Sequence, residues 1–160
     1  MARAMPNNLE AEMSVLGCAF LGGNLVDKIV EEMHAEMFFD ERNKVLFNAI
    51  VQLHNEKNPV DITTIKNELD KVKKLNIVGL DYLTDVIDSV AISSNLDYYI
   101  SIVKENALRR NLIETATDIV SKAYDEDNLN VLLDNSEQEI LNVVRNRSTG
   151  DFLSIKDVLR

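Results

Sequence analysis

NLDYYISIVKENALRRNLIETATDIVSKAY, residues 95–124, runs for about thirty positions without a glycine or proline, against a mean helix of about 11–12 residues. Tyr98, Ile102, Leu108, Leu112, Ile119 and Ala123 recur along it at helical spacing, so the spacing predicts one long helix from Asn95 to about Tyr124. The acidic turn Asp125-Glu126-Asp127-Asn128 reverses the chain. A second long helix follows, with Leu129, Leu132, Leu133, Ile140, Val143 and Val144, closing near Arg145-Asn146-Arg147. Cations there suit the negative end of a helix dipole. Residues 95–147 thus read as an antiparallel helical hairpin. Two helices enclose little core of their own, so the apolar edge needs cover from the rest of the chain or from another subunit.

Working back toward the N-terminus, residues 1–94 read as a bundle of short helices. The breakers Pro6, Gly22-Gly23, Pro59 and Gly79 fall where such helices would stop. Asn8 caps a first helix with a stripe of Leu9, Met13, Leu16 and Phe20. Asn24 opens a second, with Leu25, Ile29 and Met33, before the apolar plug Met37-Phe38-Phe39. Asp40 caps a third, striped by Leu46, Ala49, Ile50 and Leu53, and Asp61 a fourth, with Ile62, Ile65, Leu69 and Val72. After the basic Lys71-Val72-Lys73-Lys74, Gly79 precedes a helix carrying Leu80, Leu83, Val86, Ile87 and Val90. Five glycines and two prolines in 160 residues are too few for a sandwich or barrel of many strands. The fold class is all-α.

Beyond the hairpin, residues 148–160 form a polar turn and the start of a further helix. Ser154 and Asp157 resemble a capping box, and Ile155, Val158 and Leu159 share one face. Two turns are not stable alone, so the expectation is an element that continues past Arg160.

Apolar residues at 46% and charged residues at 28% describe a folded chain rather than a disordered one. The acidic excess, 27 to 17, gives a net charge of −10, which repels phosphate and argues against direct grip on nucleic acid. No run approaches the roughly 18–20 apolar residues of a membrane span, and no signal peptide is read. The single cysteine fits a reducing cytoplasm.

Catalytic chemistry is missing from the pattern. His34 and His54 stand on different helices without further ligands at metal spacing. Cys18 lies within apolar residues and reads as a small hydrophobe. The glycines of 17–23 have a loosely P-loop-like spacing but lack the Lys and Ser/Thr that hold phosphates and Mg²⁺. Carboxylate clusters such as Glu31-Glu32 and Asp125-Glu126-Asp127 read as caps and solvated faces. Arg109-Arg110 reads as pairing with Glu105 and Glu114 or as contact with an acidic partner helix. Tyr82 and Tyr98-Tyr99 read as packing or interface residues.

The order of short motifs resembles one family. Pro6, then Glu10-Ala11-Glu12 with Val15-Leu16-Gly17, is similar to the opening of DnaB-type replicative DNA helicases. Phe38-Phe39, Leu46-Phe47-Asn48-Ala49-Ile50, Pro59-Val60-Asp61-Ile62-Thr63-Thr64-Ile65, Gly79-Leu80-Asp81-Tyr82-Leu83 and Asn95-Leu96-Asp97-Tyr98-Tyr99-Ile100 follow in the family's order. Leu108-Arg109-Arg110 and Ile155-Lys156-Asp157-Val158-Leu159 complete the set. Val78-Gly79 replaces the usual pair of glycines, and Met13 a common glutamine.

The resemblance implies a non-catalytic collar domain at the N-terminus of a hexameric helicase. Its RecA-like motor, which would use ATP and Mg²⁺ to move 5′ to 3′ on DNA, would lie past Arg160. It implies hairpins paired between subunits in a trimer of dimers, docking of the helicase-binding domain of primase, and in some systems a loader. Leu129, Leu132, Ile140 and Val143 are the candidates for the collar contacts. Tyr82, Arg109 and Arg110 are candidates for partner contacts, and Ile155, Val158 and Leu159 for packing of a linker helix on a motor. The implied compartment is cytoplasmic, with no membrane partner and no cofactor in residues 1–160. A free-standing helical adaptor of a helicase stands as the alternative.

Overall fold

A computed structural model of the chain describes residues 3–90 and 95–149. Among these the chain is helical, without a strand. Its helices are α1 (Leu9–Cys18), α2 (Asn24–Glu32), α3 (Glu41–Asn55), α4 (Ile62–Lys71), α5 (Leu75–Val78), α6 (Leu80–Asp88), α7 (Leu96–Asp125) and α8 (Leu129–Thr149). Single 3₁₀ turns at Ala19–Leu21 and Ala35–Met37 flank α2.

The chain divides into two compact units, Asn7–Ala107 and a second formed by Met1–Pro6 with Leu108–Arg160. The division therefore falls three turns into α7, where the sequence places it at 94/95. Packing explains the shift: Leu96, Ile100 and Val103 are buried with the core of the first unit. Two ion pairs hold the same turns, Lys28 Nζ to Asp97 at 2.7 Å and Lys104 Nζ to Glu32 at 4.0 Å.

In the unit Asn7–Ala107, α1 is the central helix. The expected stripe of Leu9, Met13, Leu16 and Phe20 is not its buried face: Leu9 is exposed, Met13 and Phe20 are half-buried, and only Leu16 is fully enclosed. Ala11, Glu12, Ser14, Val15, Gly17 and Cys18 are buried as well. A helix covered on nearly every side has no single apolar stripe to read. Gly17 shows why α1 can sit so deep. A Cβ at that position would lie 2.5 Å from Val90 Cγ2 and 2.6 Å from the Val86 carbonyl oxygen, so only glycine lets α6 approach. Ser89 Oγ then donates to the Met13 and Val86 carbonyls, at 3.1 and 2.7 Å.

Around α1, the stripe of α3 (Leu46, Ala49, Ile50, Leu53) is buried as the spacing predicts. So are Ile29, Met33, Ile65, Leu69, Leu83 and Val86. Each large aliphatic side chain enclosed in this way contributes about 1.5–3 kcal/mol. Ile62, Val72 and Leu80, expected on apolar faces, are exposed. Caps fix the helix starts: Asn8 Oδ1 accepts from Ala11 N, Asp40 Oδ1 from Arg42 N, and Asp61 with Thr64 forms a reciprocal capping box. α3 and α4 end on residues in the left-handed region, Lys57 at φ 60° and Lys73 at φ 61°. After each, the backbone closes back, Asn58 N to Leu53 O and Lys74 N to Leu69 O.

The other unit is the hairpin. The half-buried residues of α7 within it are Leu108, Asn111, Thr115 and Ile119; those of α8 are Leu132, Ser136, Glu139 and Val143. Both sets recur every three or four positions, one face per helix. Lys122 Nζ ties the two helices through Glu139 Oε1 at 2.6 Å and also pairs with Asp118 at 2.9 Å. These carboxylates raise the Lys122 pKa, Glu139 first. α8 carries on through Ser148 and Thr149, where a polar turn was expected. Asn128 caps its start, accepting from Val131 N. The candidate face Ile155, Val158 and Leu159 lies outside the described residues.

Candidate functional site

The hairpin seam holds polar side chains at four of its eight half-buried positions, while large apolar ones stand outside it. Leu112, Ile113, Val120, Leu133, Leu141 and Val144 are all exposed, and Tyr124 and Leu129 at the tip are 87% and 63% exposed. Of the four collar candidates, Leu129 and Ile140 face outward, whereas Leu132 and Val143 lie in the half-buried seam. The hairpin thus turns several of its larger apolar residues outward.

The arginines separate. Arg110 is buried, and its Nη1 donates to the Pro6 carbonyl at 2.8 Å. It pins the N-terminal segment to the hairpin helix, and its side chain is buried rather than exposed. Arg109 is exposed.

Tyr82 belongs to a polar cluster that sequence reasoning left without a role. Glu12, on the central helix, is 1% exposed. Its carboxylate accepts from Phe39 N at 2.8 Å, from Asp40 N at 3.4 Å and from Asn43 Nδ2 at 2.8 Å. Asn43 in turn accepts from the Tyr82 hydroxyl, and the Arg42 guanidinium lies 3.7 Å from the centre of the Tyr82 ring. Arg42 also makes two hydrogen bonds to Asp40, at 3.0 and 2.7 Å. That contact holds the Asp40 carboxyl below its ordinary range. Burial, then the charge of Asp40, pushes the Tyr82 phenol up. The cluster clamps the entry to α3 onto α1. The one signal for it in the sequence is a glutamate among residues as apolar as Ala11, Val15, Leu16 and Cys18.

Gly17 is helical and packed against α6 rather than lining a phosphate cradle. Among the described residues, no group of three or more His, Cys, Asp and Glu is placed to hold a metal ion. His54 Nε2 meets Asp27 Oδ1 at 2.7 Å, joining α3 to α2. Cys18 is buried, which raises its thiol pKa. No helix among the described residues is long and apolar enough to cross a membrane.

With this geometry the chain finds relatives of one kind. Residues 4–105 match the family model of the DnaB-like helicase N-terminal domain. The replicative DNA helicase DnaC of Bacillus subtilis is 37% identical over 98% of the chain, and the replicative DNA helicase DnaB of Geobacillus stearothermophilus 35% over the same share. The chain spans about a third of those relatives, 35% of each. Among solved structures, the N-terminal domain of DnaB helicase from Mycobacterium tuberculosis superposes with a TM-score of 0.82 at 32% identity. That match covers 86% of this chain and 99% of that one. The N-terminal domain of DnaB helicase from Helicobacter pylori, described with its interactions with primase, shares the fold with a TM-score of 0.65 at 22% identity. It covers 72% of this chain and 90% of that one. An all-helical bundle leading into a hairpin, with the matched span and the close structural likeness, leads to one conclusion: the chain belongs to the DnaB-like helicase N-terminal domain family.

Proposed function

We propose that this domain is the collar of a replicative DNA helicase: it assembles subunits through its hairpin and receives primase, and it performs no catalysis itself. The observation that carries this reading is the outward-turned apolar surface of the hairpin, from Leu112 and Val120 on α7 to Ile140 and Val144 on α8. That surface is large for a hairpin left in water and suits pairing with a second hairpin. Leu129 and Ile140 are the contacts chosen for the collar. Leu132 and Val143, within the seam, would support them by fixing the spacing of α7 and α8.

Membership of the family supports a place in DNA replication, and the primase interactions described for the Helicobacter pylori domain support primase as a partner. Arg109, exposed on α7, and Tyr82, at the edge of the bundle, are the candidate polar contacts. Since the relatives extend well past the span of this chain, ATP, Mg²⁺ and DNA would be handled by a motor outside these residues. The compartment proposed is the bacterial cytoplasm. A loader would be a further client of the collar.

Sedimentation tests the assembly role. The chain should self-associate, and Ile140→Asp with Val144→Asp should weaken association at least about tenfold with helicity unchanged. Association that survives both changes would remove the hairpin from the assembly. For docking, the helicase-binding domain of a primase should bind the chain, and Arg109→Glu should weaken that binding; unchanged binding would return Arg109 to the solvated face.

A further inference from the structure

A cleft of about 350 Å³ opens between the outer face of α3 and the end of α4, lined by Val45, Asn48, Ala49, Gln52, Glu68, Lys71, Val72 and Lys74. Its floor is apolar, since Val45 and Ala49 are buried, and Val72 stands 47% exposed beside it. Its rim is cationic. Lys71 and Lys74 line it, in a chain whose net charge is −10, and Lys66 and Lys73 are their sequence neighbours. Glu68, also lining the cleft, is 7% exposed, with Lys71 Nζ 3.9 Å from its carboxylate.

Cations near the end of α4 gain from the helix dipole. The dipole gives no reason for an exposed valine beside an apolar floor. A ligand that satisfies both features carries carboxylates and an apolar side chain. We propose that this cleft docks an acidic, leucine-containing peptide segment of a partner protein. Its carboxylates meet Lys71 and Lys74, and its apolar residue covers Val72 above Val45 and Ala49. The acidic excess of the chain repels such a segment elsewhere, which favours a basic rim for it.

The test uses the 160-residue chain and a short fluorescein-labelled peptide of alternating leucine and glutamate, read by fluorescence anisotropy. Saturable binding is expected, weakened about tenfold or more by Lys71→Glu with Lys74→Glu. The charge-matched control Lys57→Glu with Arg147→Glu should change it less than about threefold. Amide shifts on titration should concentrate at Val45, Ala49 and Val72. All these lysines are at the surface, so the variants should keep wild-type helicity. Absence of saturable binding overturns the proposal, as does an equal loss in the control pair. Self-association of the chain that is abolished by the Lys71/Lys74 changes would instead assign the cleft to a second copy, which also overturns it.

Discussion

The two units distribute polar and apolar side chains in opposite ways. In Asn7–Ala107 the core is apolar, and the fully buried Glu12 and Asn43 are hydrogen-bonded to each other and to the backbone entering α3. In the hairpin, Asn111, Thr115, Ser136 and Glu139 share the seam with Leu108, Ile119, Leu132 and Val143, while Leu112, Val120, Leu133 and Val144 stand outside. The first unit is built to be stable by itself. The second has helical propensity and a few seam contacts, and several of its larger apolar residues are exposed. Changes to the first should therefore show in stability, and changes to the second in association.

The largest loss should come from Gly17→Ala. The added methyl has no room against the Val86 carbonyl and Val90, and prying α1 from α6 should cost about 3 kcal/mol, read as a lower urea midpoint. Gly22→Ala is the contrast. No atom stands near its Cβ position, so its smaller loss reflects only the left-handed backbone at φ 78°. Equal losses would mean that the α1–α6 approach is not tight.

Next comes Glu12→Ala. Removing the carboxylate strands the Phe39 amide and the Asn43 side chain away from water, for about 2–3 kcal/mol. Urea melts of Ile140→Asp with Val144→Asp at low concentration should by contrast move by less than about 1 kcal/mol, since exposed substitutions cost little. If the hairpin changes unfold the domain as readily as Glu12→Ala does, the division of labour fails.

How legible was this division in the sequence? Spacing gave the stripe of α3, the Asp40 and Asp61 caps and the long helices, because each depends on neighbours a few residues away. It failed where contacts are distant. Leu96, Ile100 and Val103 carry the same helical period as the residues after them, and only packing shows that they belong to the bundle. Arg110 reads as a surface cation until Pro6, more than a hundred positions away, supplies its acceptor. Glu12 was visible as part of a family motif, but its three donors lie on the approach to α3 and within it. In the hairpin the period marked apolar residues correctly yet could not say which of them face the seam.

A smaller effect isolates charge within the clamp. Asp40→Asn keeps a good N-cap and removes the ion pair with Arg42. Asp40 has its folded pKa lowered from 3.8 by Arg42. Its stabilising contribution is thus complete above the unfolded value and disappears as pH falls through the lower, folded one. At pH 7 the variant should be less stable by about 0.5–1 kcal/mol, and the two proteins should converge as pH drops below 3.8. A difference that persists in strong acid would assign the loss to packing instead of charge.

The smallest change sharpens the contrast through the backbone. Lys57 holds φ 60° at the end of α3, where a lysine Cβ is crowded. Its side chain is exposed, so Lys57→Gly removes strain at little cost in contacts. After the greater freedom of glycine in the unfolded chain is set against it, the variant should gain about 0.5 kcal/mol. At the hairpin turn the sign reverses. Asn128 has no positive φ and its side chain caps α8, so Asn128→Gly should lose a few tenths of a kcal/mol. Strained residues persist where surrounding packing overrides local preference. Opposite signs in a pair of thermal melts would therefore place that surplus of packing in the bundle; matching signs would mean that both turns answer to the same local preferences.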